Sequence, residues 1–322
     1  MNHLICVDTG TTNTRVWLTE GANVIAQARA SVGVRDTARD SSPARLHEAL
    51  RNLIAEVRAG QETPSAVLAA GMITSPLGLA EVPHVAAPVA LQDLIDGTQR
   101  HAFPAITDLP VLLVPGVRSG PLQCTAETIG TADVMRGEET LCVGLNALGL
   151  LPPASTLLNL GSHWKLIRLD EQARIAASLT SLSGELIHTT QTQTILASAV
   201  PTGKPEIIDE HWLQAGMSEA RQAGVARALF CVRLLEQRTA TTAEQRMSFL
   251  LGVYLAADLD GMLRQGLLHT GQPVVLTGGG AVAAAWQWAL RALAIPATQL
   301  SEADVERGFL TGLRQIAVGV IG

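Results

Sequence analysis

The residues of this sequence that best fit chemistry form a hydroxyl-rich turn near its start. An apolar run ends in Asp8, and the turn that follows contains Gly10, Thr11, Thr12 and Asn13. Gly10 lets the backbone approach a ligand, while the side chains and exposed amides can donate hydrogen bonds to a phosphate. The Asp8 carboxylate can hold a hydrated Mg²⁺ that neutralises phosphate charge. The turn therefore predicts phosphate binding with a metal; an ordinary threonine-rich hairpin is the alternative.

A second turn of the same kind lies near the middle of the chain. It runs from Asn159 to Lys165, and Gly161 and Ser162 within it could bind phosphates from the opposite side of a cleft. Asn159 stands where the first turn has Asp8, and an amide cannot accept a proton from a nucleophile, so a general base must come from elsewhere. Lys165 could add positive charge; a strand lysine facing solvent is the alternative interpretation.

Three consecutive glycines, Gly278, Gly279 and Gly280, join an apolar strand to a helix. With Ala283 they also match the dinucleotide-binding pattern, but that match is weak. Only about forty residues follow, too few for the roughly six-stranded sheet of a dinucleotide-binding fold. We expect a turn that lets a purine or ribose lie against the backbone, with a plain tight turn as the alternative.

Charge is scarce in this chain, at 16% of its residues, yet four charged residues gather around Gly137. They are Asp133, Arg136, Glu138 and Glu139. An arginine can bind a carboxylate through two hydrogen bonds, and a glutamate in a dry cleft can become a base. We assign Arg136 to a substrate carboxylate and one glutamate, preferably Glu138, to deprotonating an attacking hydroxyl. A solvated helix start, where acids offset the helix dipole, is the alternative.

The elements that must position these residues are predicted twice. A meander of three short strands, Leu4–Val7, Arg15–Thr19 and Val24–Ala30, is followed by a helix and by buried strands at Ala66–Gly71 and Val111–Val114. A constant offset of 151 aligns this meander with a second one. We predict two related α/β domains, residues 1–116 and 117–322, divided at a proline- and glycine-rich stretch and sharing a cleft. A helix over 133–148 would begin at this junction.

Composition argues against several classes of protein. The 322 residues are 47% hydrophobic, enough for two cores, and the net charge of −6 argues against a nucleic-acid binder. The sequence contains no run of about 18 apolar residues, so we expect no membrane span. Its start does not resemble a signal peptide, and we therefore expect a cytoplasmic location. Four scattered cysteines predict reduced core residues, neither disulfides nor zinc ligands.

Several of these motifs resemble those of the 2-dehydro-3-deoxygalactonokinases, within the sugar kinase/heat-shock protein/actin superfamily. The most specific is the stretch 134–140, VMRGEET, which is similar to a family motif with the same residues. Four further stretches are similar to family motifs, at 8–15, 70–75, 161–165 and 183–186. Leu160, Leu166 and Ser183 depart from the family's proline, tryptophan and threonine, and a tryptophan occurs instead as Trp164.

The resemblance implies a duplicated ribonuclease-H-like fold, as in actin-like ATPases, with ATP and Mg²⁺ between the halves and a small sugar acid deeper in the cleft. It implies phosphorylation of 2-dehydro-3-deoxy-D-galactonate at its terminal hydroxyl, giving the 6-phosphate and ADP in galactonate breakdown. The partners are then two small molecules, with a homodimer left open. Two alternatives remain: a kinase of this fold acting on another sugar or sugar acid, and a non-catalytic sugar or nucleotide sensor.

Overall fold

The computed structural model describes residues 3–60, 64–203 and 205–321 as a mixed α/β structure. Its strands are β1 His3–Thr9, β2 Thr14–Glu20, β3 Asn23–Ala30, β4 Ala66–Gly71, β5 Val85–Ala86, β6 Gln99–His101, β7 Val111–Leu113, β8 Val117–Ser119, β9 Asp133–Met135, β10 Thr156–Leu160, β11 Trp164–Leu169, β12 Ile175–Ser181, β13 Val274–Thr277 and β14 Ala297–Gln299. Its α-helices are α1 Val34–Asp40, α2 Ala44–Arg58, α3 Leu91–Gly97, α4 Glu138–Ala147, α5 Ser183–Gln193, α6 Glu210–Ala223, α7 Val225–Arg238, α8 Ala243–Arg264, α9 Gly280–Ala292 and α10 Glu302–Ile321. Within the described ranges, no helix is both long and apolar enough to cross a bilayer.

The chain divides into two compact units. Unit 1 contains the residues up to Pro153, the segment Glu171–Ala176 and the residues from Ala303 on; unit 2 contains Ala154–Asp170 and Ala177–Glu302. The predicted boundary between residues 116 and 117 lies inside unit 1, because β8 pairs there with β5 and β9 in a three-stranded sheet. The two units divide instead after Pro153, just before the second large sheet begins with β10.

The same sheet is built in each unit. The strand order is β3-β2-β1-β4-β7-β6 in unit 1 and β12-β11-β10-β13-β14 in unit 2. β1 pairs antiparallel with β2 and parallel with β4, just as β10 pairs antiparallel with β11 and parallel with β13. The predicted duplication of a meander followed by parallel strands is confirmed.

The central parallel strands bring the two predicted turns to comparable places in their sheets. β4 is buried along its whole length, as expected for a strand covered on both faces. Thr9 at the end of β1 pairs with Gly71 at the end of β4, and Asn159 in β10 pairs with Thr277 in β13. Since the carboxyl ends of parallel strands share one sheet edge, each turn lies beside the turn after the neighbouring strand.

The predicted helix over 133–148 is wrong at its start. Asp133–Met135 forms β9, and α4 begins only at Glu138. Gly137 between them has φ 107°, in the region that interrupts a right-handed helix and that glycine tolerates. Gly137 therefore ends the strand segment before α4, and Glu138 and Glu139 lie in the first turn of that helix.

The four cysteines are free thiols, but they are not all core residues. Cys6 and Cys142 are buried and Cys231 is partly buried, whereas Cys124 is exposed. The prediction of a core position is wrong for Cys124, because its neighbours between residues 120 and 127 are also exposed.

Helices α4 and α10 cross closely at glycines within unit 1. A Cβ on Gly144 would overlap the carbonyl oxygen of Gly308 and lie 2.5 Å from the nitrogen of Gly312. We therefore expect Gly144→Ala to lower the free energy of unfolding by on the order of 3 kcal/mol, because the helices must move apart. Chemical denaturation measures this change.

The matched control is Gly261→Ala in α8, where a Cβ would meet nothing within 4 Å. There we expect stability to hold or to rise by up to about 1 kcal/mol, since alanine favours helix more than glycine does. A similar small effect of both substitutions would contradict the close crossing of α4 and α10.

Candidate active site

Asp8 is a largely buried carboxylate at the end of β1. Its Oδ2 atom accepts a hydrogen bond of 2.6 Å from Nη2 of Arg15, which lies opposite it on β2. Burial raises the pKa of the Asp8 carboxyl; Arg15 lowers that pKa, and the negative charge of Glu138 raises it. An ionised carboxylate in such a place costs the fold free energy. A buried carboxylate with this free-energy cost fits a catalytic or metal-binding role for Asp8.

Two glycines allow the backbone to close around Asp8. Gly71 ends β4 with φ 90°, and a Cβ there would lie 2.6 Å from the carbonyl oxygen of Thr9 and 3.1 Å from Oδ1 of Asp8. A Cβ on Gly137 would lie 3.2 Å from Cα of Gly71. These contacts bring the start of α4 against the ends of β1 and β4, where Glu138 acts on Asp8.

The structure separates the two neighbouring glutamates. Glu139 is fully buried, and both of its carboxylate oxygens accept a hydrogen bond of 2.8 Å from the backbone nitrogen of Gly137. The Thr140 hydroxyl donates a further bond of 3.3 Å to Oε1 of Glu139. Glu139 thus satisfies donors at the start of its own helix, which fits the structural alternative. Glu138 is only half-buried, and its charge acts on Asp8.

We expect Glu139→Ala to lower the free energy of unfolding by about 2 kcal/mol, because the partly buried Gly137 N–H would lose a charged acceptor. Denaturant unfolding followed by circular dichroism measures the loss. Glu138→Ala, one position earlier, is the control and should leave stability nearly unchanged. If Glu139→Ala kept full stability, the assignment of Glu139 to the helix start would be wrong.

Arg136 is engaged within unit 1. Its Nη1 atom donates to the Thr74 hydroxyl at 2.9 Å, and Nη2 donates to the Val82 carbonyl at 2.8 Å. Nη2 also lies 3.4 Å from Nδ1 of His84. Burial lowers the pKa of the Arg136 guanidinium, and the charge of Glu139 raises it. Arg136 therefore ties the segment after β4 to β9, and its assignment to a substrate carboxylate stays a prediction.

The first predicted turn is closed by its own backbone. The Gly10 nitrogen donates to the carbonyl of Asn13 at 2.9 Å, and the Asn13 amide donates to the Thr12 hydroxyl at 2.9 Å. The carbonyls of Gly10 and Thr11 accept bonds from the first amides of α1, at 3.2 and 2.9 Å. Because these carbonyls are bound inside the unit, they are not the atoms that a phosphate would meet.

One glycine behind each turn makes this packing possible. A Cβ on Gly33 would lie 2.5 Å from the carbonyl oxygen of Thr11, and a Cβ on Gly184 would lie 2.5 Å from that of Ser162. The two glycines are related by the same offset of 151. Sequence reasoning missed Gly33, although that offset, applied to Gly184, would have found it.

The second turn carries a buried cation. Lys165 is 6% exposed, so the interpretation as a solvent-facing lysine is wrong. Lys165 lies opposite Asn159, as Arg15 lies opposite Asp8 in unit 1. The Asn159 Oδ1 atom accepts a bond of 2.8 Å from the Thr277 hydroxyl. An amide and a lysine therefore stand where unit 1 has an acid and an arginine.

The three glycines after β13 differ in their surroundings. Gly278, with φ 102°, passes so close to β10 that a Cβ would lie 2.7 Å from the carbonyl oxygen of Leu160. Gly280 has φ 66° and lies near the carbonyl of Pro205, whereas a Cβ on Gly279 would meet nothing within 4 Å. The structure thus brings Gly278 beside the second turn, and the purine or ribose role stays a prediction.

Comparison with known proteins gives consistent results. A family model described as 2-keto-3-deoxy-galactonokinase matches residues 8–316. The 2-dehydro-3-deoxygalactonokinase of Escherichia coli K12 is 27% identical over 326 residues, 98% of each chain. A crystal structure of a candidate 2-dehydro-3-deoxygalactonokinase from Sinorhizobium meliloti is 24% identical, with a TM-score of 0.78 over 98% of each chain.

A more distant structural relative shares the fold. The activator of 2-hydroxyisocaproyl-CoA dehydratase from Clostridium difficile, solved with bound ADPNP, is 12% identical, with a TM-score of 0.51 over 98% of this chain and 95% of its own. Together with the repeated strand order, this likeness confirms the expected duplicated ribonuclease-H-like fold class.

Proposed function

This chain belongs to the 2-keto-3-deoxy-galactonokinase family, and we propose that it transfers the terminal phosphoryl group of ATP to the 6-hydroxyl of 2-dehydro-3-deoxy-D-galactonate. The products are the 6-phosphate of the sugar acid and ADP. The observation that carries the proposal is the pair of carboxylates, Asp8 and Glu138, beside a hydroxyl-rich turn.

The two turns supply phosphate-binding groups. In each, the carbonyls pack against the first residues of the following helix, at Gly33 in unit 1 and Gly184 in unit 2. The turn hydroxyls and amides, with the Lys165 ammonium, are suited to the negative oxygens of ATP. Lys165 is one of two lysines in a chain with 23 Lys and Arg residues. A compact ammonium here serves as a point charge rather than as a two-point clamp.

The carboxylates of unit 1 fit a magnesium ion that arrives with the nucleotide. Among the residues that the structure describes, no three His, Cys, Asp or Glu side chains are grouped to hold a metal. Mg²⁺ commonly binds proteins through one or two carboxylates and completes its shell with phosphate and water, which matches Asp8 near Glu138. When bound, the ion would neutralise phosphate charge. We assign it to Asp8.

Glu138 is the group that we assign to the proton of the attacking hydroxyl. Its carboxylate would accept that proton while the sugar oxygen forms its bond to the terminal phosphorus and the bond from phosphorus to ADP breaks. Glu139 is not suited to this task, because its oxygens already bind the Gly137 amide. Most of the rate enhancement is expected to come from positioning and charge neutralisation.

The test measures ATP consumption with a panel of sugar acids and neutral sugars, with the product identified by ³¹P NMR. Turnover with 2-dehydro-3-deoxy-D-galactonate well above all others supports the proposal. Preference for another sugar or sugar acid would indicate a different kinase, and binding without turnover would indicate a sensor. The cytoplasmic location and the homodimer stay predictions.

A further inference from the structure

Asp258 is a half-buried carboxylate of unit 2 that the proposed chemistry does not use. It lies on α8, where its Oδ2 atom accepts a hydrogen bond of 2.5 Å from the Ser181 hydroxyl. The Ser181 and Ser183 hydroxyl oxygens lie 3.2 Å apart, and the Ser183 backbone nitrogen donates to Oγ of Ser181 at 3.4 Å. Asp258 is thereby connected to the residues with which α5 begins.

The Asp258 side chain is partly withdrawn from water. Burial raises the pKa of this carboxyl, whereas hydrogen bonds from Ser181 and Ser183 lower it. Ser183 itself is 4% exposed. A half-buried carboxylate bonded to the Ser181 hydroxyl holds that serine firmly, because hydrogen bonds to a charged acceptor are stronger than neutral ones.

The start of α5 in turn holds the second turn. The Glu185 nitrogen donates to the carbonyl of Ser162 at 2.8 Å. Gly184 is so close that a Cβ on it would overlap the carbonyl oxygen of Gly161. The contacts therefore run from Asp258 through the two serines to the carbonyls of the turn.

The corresponding place in unit 1 is also supported by a carboxylate. There the Asp36 Oδ2 atom accepts a bond of 3.0 Å from the nitrogen of Gly33. Asp36 lies in the first turn of α1, and the offset of 151 places Ile187 at the matching position of α5. Isoleucine cannot accept a hydrogen bond, and in unit 2 the carboxylate near the start of the helix belongs to α8, where Asp258 accepts from the Ser181 hydroxyl.

We propose that Asp258 is a positioning residue for the second turn, which it holds in a phosphate-binding shape through Ser181, Ser183 and the first residues of α5. The inference rests on the proposed function, since it takes the Gly161–Ser162 turn to bind the phosphates of ATP. In this proposal Asp258 acts through these residues and not by contact with ATP or the sugar acid.

The experiment compares Asp258→Ala with wild type in direct ATP binding by calorimetry and in steady-state kinetics. We expect the Kd and the KM for ATP to rise about tenfold, the size expected for loss of one charged hydrogen bond, with the KM for the sugar acid within twofold. Asp258→Asn keeps an acceptor and should restore most of the affinity. A general loss of structure would not produce this split between the two KM values.

Asp260→Ala is the matched control on the same helix. Asp260 accepts hydrogen bonds of 2.8 and 3.0 Å from Arg221. Its replacement by alanine should leave both KM values unchanged. Ser181→Ala should raise the KM for ATP as Asp258→Ala does. The double variant should raise it little further, because both substitutions remove the same hydrogen bond. If Asp258→Ala folds poorly, Ser181→Ala tests the inference in its place.

Wild-type ATP affinity in both Asp258→Ala and Ser181→Ala would overturn the inference, as would an equal rise of both KM values. Calorimetry separates this outcome from failure of the proposed function. Wild-type protein that binds ATP but phosphorylates no sugar acid would contradict the function, while the affinities of the variants would still decide the role of Asp258. Absence of ATP binding by wild type would overturn both.

Discussion

Asp8→Asn is expected to lower kcat by about a hundredfold or more while the fold stays intact. An amide keeps the shape of the side chain but lacks the charge that we assign to Mg²⁺, and a hundredfold loss equals about 2.7 kcal/mol of transition-state stabilisation. Steady-state kinetics across a Mg²⁺ titration measures the effect, and a higher Mg²⁺ concentration should recover part of the loss.

The same substitution should not lower stability. Burial raises the pKa of the Asp8 carboxyl above its value in the unfolded chain, so the ionised form costs free energy at neutral pH. That cost shrinks as the pH falls through the folded pKa and is gone below the unfolded pKa, and asparagine does not carry it. Arg15 is 45% exposed and can be solvated when its partner is neutral.

Asp108→Asn is the matched control for Asp8→Asn. Asp108 accepts a bond of the same length, 2.6 Å, from Arg58, but its side chain is 70% exposed. We expect no change in turnover there. Near wild-type turnover in Asp8→Asn, or a large loss of its stability at pH 7, would instead mean that Asp8 is a structural residue.

The repeated sheet was predictable because its signals are local. Each strand is a short apolar run bounded by turn residues, and matching runs recur at one offset along the chain. The boundary after Pro153 was not predictable in this way. It depends on β8 pairing with β5 and β9, and proline and glycine density says nothing about such pairing.

The candidate site was only partly predictable for the same reason. Asp8, Gly10 and Gly161 follow from strand and turn patterns, whereas the link from Asp258 to Ser181 joins residues far apart in sequence.

Trp164, which departs from the family motif, is accommodated in the core of unit 2. Residues two apart on a strand face the same side, so Trp164 shares a core with Leu166 and packs edge to face on Trp286, at 5.6 Å between ring centroids.

The choice between Glu138 and Glu139 also needed the structure. The two residues are adjacent in one helical turn, and periodicity cannot tell which one is bound by the helix's own backbone. The bonds from the Gly137 amide show that Glu139 is the residue so bound, and the role of Glu138 as the base stays a prediction. Those bonds depend on φ 107° at Gly137, which a sequence pattern does not specify.

Glu138→Gln is therefore expected to lower kcat by about a hundredfold, since a general base contributes typically 10²–10⁴-fold and an amide cannot accept the proton. The KM for ATP should change little, and stability should hold. Removing the Glu138 charge also removes one cause that raises the pKa of Asp8, so loss of Mg²⁺ binding on acidification should move to lower pH. Mg²⁺ titrations across a pH series measure this shift.

Glu139→Gln is the control that separates the two glutamates, because it should lower stability and affect kcat less than Glu138→Gln does. Retention of kcat in both variants would contradict the assignment of a base to this pair. Glu185 would then be the next candidate for the base; its Oε1 atom lies 3.6 Å from Nε2 of His163 beside the second turn. The remaining explanation would be a phosphoryl transfer whose loose transition state needs little help from a base, because the attacking hydroxyl then loses its proton late.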